Sequence, residues 1–237
     1  KINVQVNEPE LAPYYYGVTL TDIKISPSPY WVQNNLKSIG ITPKNNVVDI
    51  TNFVLHDIGQ PLHSFDADKI EGNIIIKKST DGAYFKTLDK NQIKLSEEDL
   101  MICDETKPLC LAGIYGGQHS GVSESTTSIF LESAYFDPKT IRKSCKRHGF
   151  STDASYRYER GIDPDFSLKA LKRAILLMVK YANANVASEI SEFQKPTKEP
   201  SKIFLPYKQI DKTIGQTIPK EDLTNILNAL EIKIDNV

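Results

Sequence analysis

Hydrophobic and polar residues alternate or recur at helical spacing in distinct blocks along the chain. Residues 14–26 (YYYGVTLTDIKIS) are β-rich and partly alternating, which predicts a strand. Ser28-Pro29 reads as a helix cap followed by Pro at the first helical position, with Trp31, Val32 and Leu36 on the apolar side and Gly40 as the stop. A second helix is expected from Pro43. Val47, Ile50, Val54 and Ile58 form its apolar stripe, flanked by Val48 and Leu55, and Gly59 and Pro61 end it. From Gly72 to Glu132 short β-branched or aromatic runs (IIIKKS, YFKTL, QIKL, LMICD, LCLAGIY, SIFLES) alternate with turn residues, and Asp104 to Lys107 reads as a hairpin turn. Helices are predicted again over 138–148 and 164–181, the latter with Leu168, Leu171, Ile175, Met178 and Val179 on its apolar face. The polar stretch QKPTKEPS (194–201) reads as a linker. Beyond it the pattern gives a strand IFL, a short helix ending at Gly215, and a helix from Pro219 with Leu223, Ile226, Leu227 and Leu230.

These blocks predict an α+β fold, with mainly antiparallel strands flanked by helices and a truncated small α/β module at the C-terminus. The predicted domains are 1–195 and 199–237. The chain starts at Lys1 without Met and ends at Val237 soon after a helical segment, so a fragment is expected.

Composition narrows the function classes. At 237 residues, 40% hydrophobic and 25% charged, the chain has the make-up of a globular protein. No run approaches the roughly 18 apolar residues of a membrane helix, so no membrane partner is expected. A net charge of −1 means that any nucleic-acid contact must come from a local patch. Cys103, Cys110 and Cys145 show no CxxC pairing and read as thiols in a reducing compartment. Phosphate-loop, HExxH and GxSxG motifs are all absent, which argues against ATP use, zinc catalysis and a serine nucleophile, but not against attack by a positioned water.

Several places carry candidate chemistry. His63, in QPLHSFD, is expected in a polar loop just past a helix end, either exchanging protons or acting as a surface or capping histidine. Asn52 falls within the apolar arc of the second helix and either satisfies backbone or points into a site. Gly113, in LAGIYGGQHSG, permits close approach of a ligand or simply makes a turn. Glu132 ends an apolar strand and is either solvated or aimed into a pocket. Residues 142–160 are locally basic through Arg142, Lys143, Lys146, Arg147, Arg157 and Arg160. They form either a phosphate-binding strip or a face paired with Glu159, Asp163 and Asp165.

Taken together and in order, SPSPYWVQNNLKSIGI, NNVVDITNFVLHDIGQPLHSFDADKI, LCLAGIYGG, IFLESAYFDPKTIRKSCKRHGFSTDAS and YRYERGIDP resemble the editing region of bacterial phenylalanyl-tRNA synthetase β subunits. The resemblance runs to about residue 195, and the residues after the linker resemble the start of the next module. It implies post-transfer editing: hydrolysis of tyrosine wrongly esterified to tRNA(Phe), within a cytoplasmic enzyme that pairs with an α subunit, α2β2 overall. A non-catalytic tRNA-binding or subunit-assembly module is the alternative. By the same resemblance, Glu132 recognises the tyrosine hydroxyl. Thr152 and Ala154 are small pocket walls, Gly113 lines the pocket, and His63 and Asn52 lie near the ester and terminal adenosine. His63 and Glu132 are the catalytic candidates, and no metal or organic cofactor is implied. Tyr115, Phe150 and Tyr156 depart from the family pattern beside these motifs, which bears on pocket dimensions rather than on the reaction.

Overall fold

The computed structural model describes residues 2–196 and 202–235. The chain divides into two compact units, Lys1–Lys195 and Pro196–Val237. Of the expected linker, residues 197–201 lie outside the described residues, as do Lys1, Asn236 and Val237.

The first unit runs β1 (Val4–Val6), β2 (Tyr14–Thr21), α1 (Tyr30–Ser38), α2 (Asn46–Ile58), β3 (Leu62–Asp66), β4 (Ile74–Lys78), β5 (Tyr84–Lys86), β6 (Gln92–Lys94), β7 (Leu100–Cys103), β8 (Pro108–Leu111), β9 (Tyr115–Gly116), β10 (Ile129–Tyr135), α3 (Pro138–His148), α4 (Asp153–Tyr158), α5 (Phe166–Tyr181), β11 (Asn185–Val186) and β12 (Ser191–Gln194). One sheet has the order β1-β4-β7-β8-β9, antiparallel except for the parallel β1–β4 pair. A second has the order β11-β2-β10-β3, with β12 also paired to β2, and is antiparallel throughout. β5 and β6 form a separate hairpin. The fold is thus mixed, with mainly antiparallel sheets and flanking helices.

Strand β10 organises the core because it is buried on both faces. Its side chains alternate across the sheet. Ile129 and Leu131 join Val18 and Leu20 of β2 against Val47, Ile50 and Val54 of α2 and Ala170, Leu171, Ala174 and Met178 of α5. Phe130 and Ala134 point the other way, to Tyr15 and Phe65 and to Ile74, Ile76, Ile102 and Leu111 of the first sheet. Glu132 shares that second face by the same period of two.

The helix ends refine the sequence reading. α1 starts one residue later than expected: Pro29 is the N-cap, while the Ser28 hydroxyl donates to the buried Asp49 carboxylate at 2.5 Å. α2 starts at Asn46 rather than Pro43, because the Asn45 side chain accepts the Val48 amide and fixes the cap there. Gly59, at φ 78°, closes it. In α5 the buried stripe is Ala170, Leu171, Ala174 and Met178, and Val179 is exposed. The β7–β8 hairpin turns where Asp104 accepts the Thr106 and Lys107 amides.

The second unit contains α6 (Tyr207–Ile214), ended by Gly215 at φ 88°, and α7 (Lys220–Ala229), which follows Pro219. Residues 203–205 form no strand: no described strand pairs with them, and their side chains are exposed.

Candidate active site

The register of the second sheet sets Gly17 of β2, Glu132 of β10 and His63 of β3 in one row across three strands. Directly opposed residues hold their Cβ atoms about 5 Å apart on one face. His63 therefore lies on a strand beside Glu132 and not in a loop past a helix. Tertiary pairing with β10 extends a segment whose own pattern is too polar to announce a strand.

His63 and Glu132 line one cavity of about 70 Å³, together with Pro61, Cys110, Gly113, Tyr115, Gly116, Ala154 and Tyr158 among others. That volume holds several waters. Of the residues singled out in the sequence, His63, Gly113, Glu132 and Ala154 come together here, whereas Asn52 and Thr152 are not among the lining residues.

The cavity is built from glycines and a short helix. Gly113 stands at φ 67°, and a Cβ there would meet Phe136 and Tyr158 ring carbons at 2.9 Å, so both backbone conformation and space exclude a side chain. A Cβ at Gly116 would come within 3.1 Å of the His63 ring, so that ring packs directly on bare backbone. The six-residue α4 is anchored by Thr152. Its hydroxyl accepts the Ser155 amide at 3.1 Å and donates to the Ile114 carbonyl at 3.2 Å, while the Ser155 hydroxyl accepts the Thr152 amide at 2.9 Å. Thr152 is thus a helix cap that ties α4 to the Gly113 turn, and Ala154, two residues on, lines the cavity. Tyr158, not identified from sequence, donates its hydroxyl to the Ala134 carbonyl at 3.1 Å and pins the other end of α4 to β10.

Asn52 is half-buried on α2. The fully buried asparagine of that helix is Asn46, which donates to the Lys24 and Tyr181 carbonyls and accepts the Ser26 amide. Buried amides need this full set of partners. Much of the basic strip is paired within the chain, Arg147 with Glu98 and Asp99, Lys143 with Glu98, Arg157 with Asp153 and Arg160 with Glu159.

The electrostatics of the row are unusual for a protein interior. Glu132 is 4% exposed, and its Oε2 finds no hydrogen-bond partner among the described residues. Burial raises its pKa to about 8, an effect tempered by the neighbouring Tyr15 hydroxyl. The His63 Nε2 is likewise shielded and unpartnered among the described residues, and burial lowers its pKa to about 4. The ring packs edge-on against Phe65, with centroids 4.5 Å apart. Near neutral pH the pair is therefore a neutral carboxyl and a neutral imidazole, each with an unused polar atom. Cys110 is no nucleophile here. Burial pushes its thiol pKa well up, and it donates to the Tyr115 carbonyl at 3.3 Å.

A polar floor in an otherwise apolar cavity can hold a mostly apolar group and can hydrogen-bond to a polar atom set beside Glu132. An imidazole alongside can hold a water in a fixed orientation.

Comparison with known proteins places this cavity in a wider context. The B3/4 domain model matches residues 11–183. The phenylalanine–tRNA ligase β subunit of Bacteroides thetaiotaomicron is 46% identical over 236 residues, covering 99% of this chain and 29% of that protein. The corresponding Yersinia pestis subunit is 40% identical over 234 residues, covering 98% and 29%. The chain thus spans less than a third of the length of these curated relatives. Among solved structures, an N-terminal fragment of the phenylalanyl-tRNA synthetase β-subunit from Pyrococcus horikoshii aligns with a TM-score of 0.49 at 14% identity, covering 96% of this chain and 63% of that one.

Proposed function

The chain belongs to the B3/4 domain family, and from that premise we propose that it is the editing region of a phenylalanine–tRNA ligase β subunit, hydrolysing the ester of Tyr-tRNA(Phe). The observation that carries the reading is the unpartnered Glu132 carboxyl, buried in a cavity beside His63.

The chemistry follows from those two groups. Tyrosine enters with its ring among the apolar lining and its hydroxyl on Glu132. A neutral carboxyl both donates and accepts, which matches a phenol on both counts. Phenylalanine fills the same space but leaves the carboxyl unpaired. That omission costs about 1–3 kcal/mol, or roughly 5- to 150-fold in selectivity. A synthetic site that admits tyrosine by a one-hydroxyl error is thereby complemented by a site that requires the hydroxyl.

His63 orients the attacking water. With a pKa of about 4 it is a weak proton acceptor, so its role is to position the water by hydrogen bonding. The water oxygen bonds to the ester carbonyl carbon, the bond to the ribose oxygen breaks, a proton of the water passes to that ribose oxygen, and tyrosine and tRNA with a free terminal hydroxyl leave. No covalent intermediate and no cofactor enter this scheme. Gly113 and Ala154 keep the walls low enough for the ring, while Thr152 acts through the placement of α4. The partners are tRNA(Phe) carrying a non-cognate amino acid and, in the intact cytoplasmic enzyme, an α subunit in a heterotetramer. A non-catalytic binding module would have no need of two unpartnered polar groups in one cavity, which favours hydrolysis over that alternative.

The test is deacylation by the complete β subunit assembled with its α partner. Release of tyrosine from Tyr-tRNA(Phe) should far outpace both buffer and release of phenylalanine from Phe-tRNA(Phe). Rates no faster than buffer for both would refute the reading.

A further inference from the structure

A larger hollow of about 330 Å³ lies across the same wall and plays no part in the scheme above. Gln60 belongs to this groove and Pro61 to the inner cavity. Helix α4 likewise serves both, giving Ala154 and Tyr158 to the cavity and Tyr156 and Arg157 to the groove, which Arg160 joins from just beyond the helix end. The groove contains aromatic surface that a core would have covered: Tyr156 is 53% exposed and Phe166 36%. The Arg160 guanidinium lies over the Tyr156 ring at 3.6 Å, and the Lys169 ammonium over Phe166 at 4.6 Å.

We propose that this groove binds the single-stranded 3′ end of the RNA, with Arg157 and Arg160 on its phosphates and Tyr156 and Phe166 against its bases; this rests on the ester-hydrolase reading of the adjoining cavity. Aromatic faces beside cations are the combination that holds single strands without reading sequence. The arginines already have partners, of which the carboxylates are weak competitors. Arg157 donates to the Asp153 carbonyl at 2.8 Å and contacts His56 Nδ1 at 3.0 Å, with the exposed Asp153 carboxylate 3.8 Å away, and Arg160 donates to the Tyr156 carbonyl at 3.0 Å and pairs with its sequence neighbour Glu159. Exposed pairs of this kind contribute little, so a phosphate can replace them. Asp163 also lines the groove and is the one acidic residue there, which favours a path that passes the arginines and turns inward along α4. An ester at the end of such a strand is delivered to the neighbouring cavity while the charged backbone stays outside.

The experiment uses the complete assembled enzyme and Tyr-tRNA(Phe) in two forms, the natural ester and an analogue with an amide in its place. Affinity for the amide form is read by fluorescence anisotropy across salt concentrations, and hydrolysis of the ester form by steady-state kinetics. Arg157→Gln and Arg160→Gln should each weaken binding of the amide form about tenfold, as expected for loss of a charge-assisted contact. Each should also lower the slope of log affinity against log salt by about 0.7. The kinetic counterpart is a raised KM with little change in kcat. Arg160→Lys, which keeps the charge, should keep the salt slope, so a loss caused only by local unfolding would be recognised. Unchanged affinity and slope in both glutamine variants overturn the groove assignment whatever the hydrolysis assay gives. A wild-type enzyme that binds the amide form through these arginines but fails to cleave the ester overturns the hydrolase reading instead.

Discussion

Glu132→Gln should abolish a pH dependence of stability that the wild-type chain carries in its core. Glu132 is buried in the folded state with a pKa of about 8, against the ordinary 4.5. Between those values the folded chain holds a proton that the unfolded chain has released, so stability falls as pH rises through that window and then levels off. Taking 1.36 kcal/mol per pKa unit, the fall between pH 5 and 8.5 comes to about 4 kcal/mol. His63 acts with the opposite sign. Its pKa is lowered to about 4, so it contributes stability that is lost as pH falls from about 6.5 towards 4. That term is common to both proteins and cancels in their difference. Urea denaturation of wild type and Glu132→Gln at both pH values, at matched ionic strength, gives the double difference. The variant should gain about 4 kcal/mol relative to wild type on going from pH 5 to 8.5. A change below about 1 kcal/mol would refute the reasoning, since it would mean that Glu132 is well solvated or already paired.

Gly113→Ala should destabilise the chain by about 1–3 kcal/mol in thermal or urea melts, because φ 67° strains an L residue and the new Cβ meets Phe136 and Tyr158 at 2.9 Å. Thr152→Ala should cost about 0.5–2 kcal/mol of stability, as loss of an N-cap does, and Thr152→Ser should recover most of it in the same melts. Ala154→Leu should fill the cavity, leaving circular dichroism and melting near wild type while tyrosine release falls at least about tenfold, the step expected from about 1.4 kcal/mol of lost binding. His63→Ala should lower kcat by about 10- to 100-fold with KM little changed, the pattern of a group that acts on the water rather than on tRNA binding.

Much of this architecture is legible in the chain, for identifiable reasons. The alternation in SIFLES places Glu132 on the same face as Phe130, and burial of both faces explains the apolar run Ile129, Phe130 and Leu131 that precedes it. Asp137 followed by Pro138, and His148 followed by Gly149, mark α3 at both ends. What the chain conceals depends on distant partners. LHSFD has no clean alternation and becomes a strand only because β10 pairs with it, so the His63–Glu132 juxtaposition exists only after folding. α4 is too short to show a period, although the Thr152–Ser155 spacing of its capping box was there to be read. Asn52 and Asn46 both sit on α2, and only three-dimensional packing reveals that Asn46 is the one enclosed. In the second unit, IFL has β propensity but no described partner strand, and propensity alone does not make a sheet.

The central claim is that the Glu132 carboxyl makes this cavity require a hydroxyl. The most direct test is the ratio of kcat/KM for Tyr-tRNA(Phe) over Phe-tRNA(Phe), measured on the assembled enzyme with wild type and Glu132→Ala. The account predicts a wild-type ratio well above one that falls by about 10- to 100-fold in the variant, with slow phenylalanine release preserved or slightly raised. A ratio that survives the substitution unchanged would contradict it.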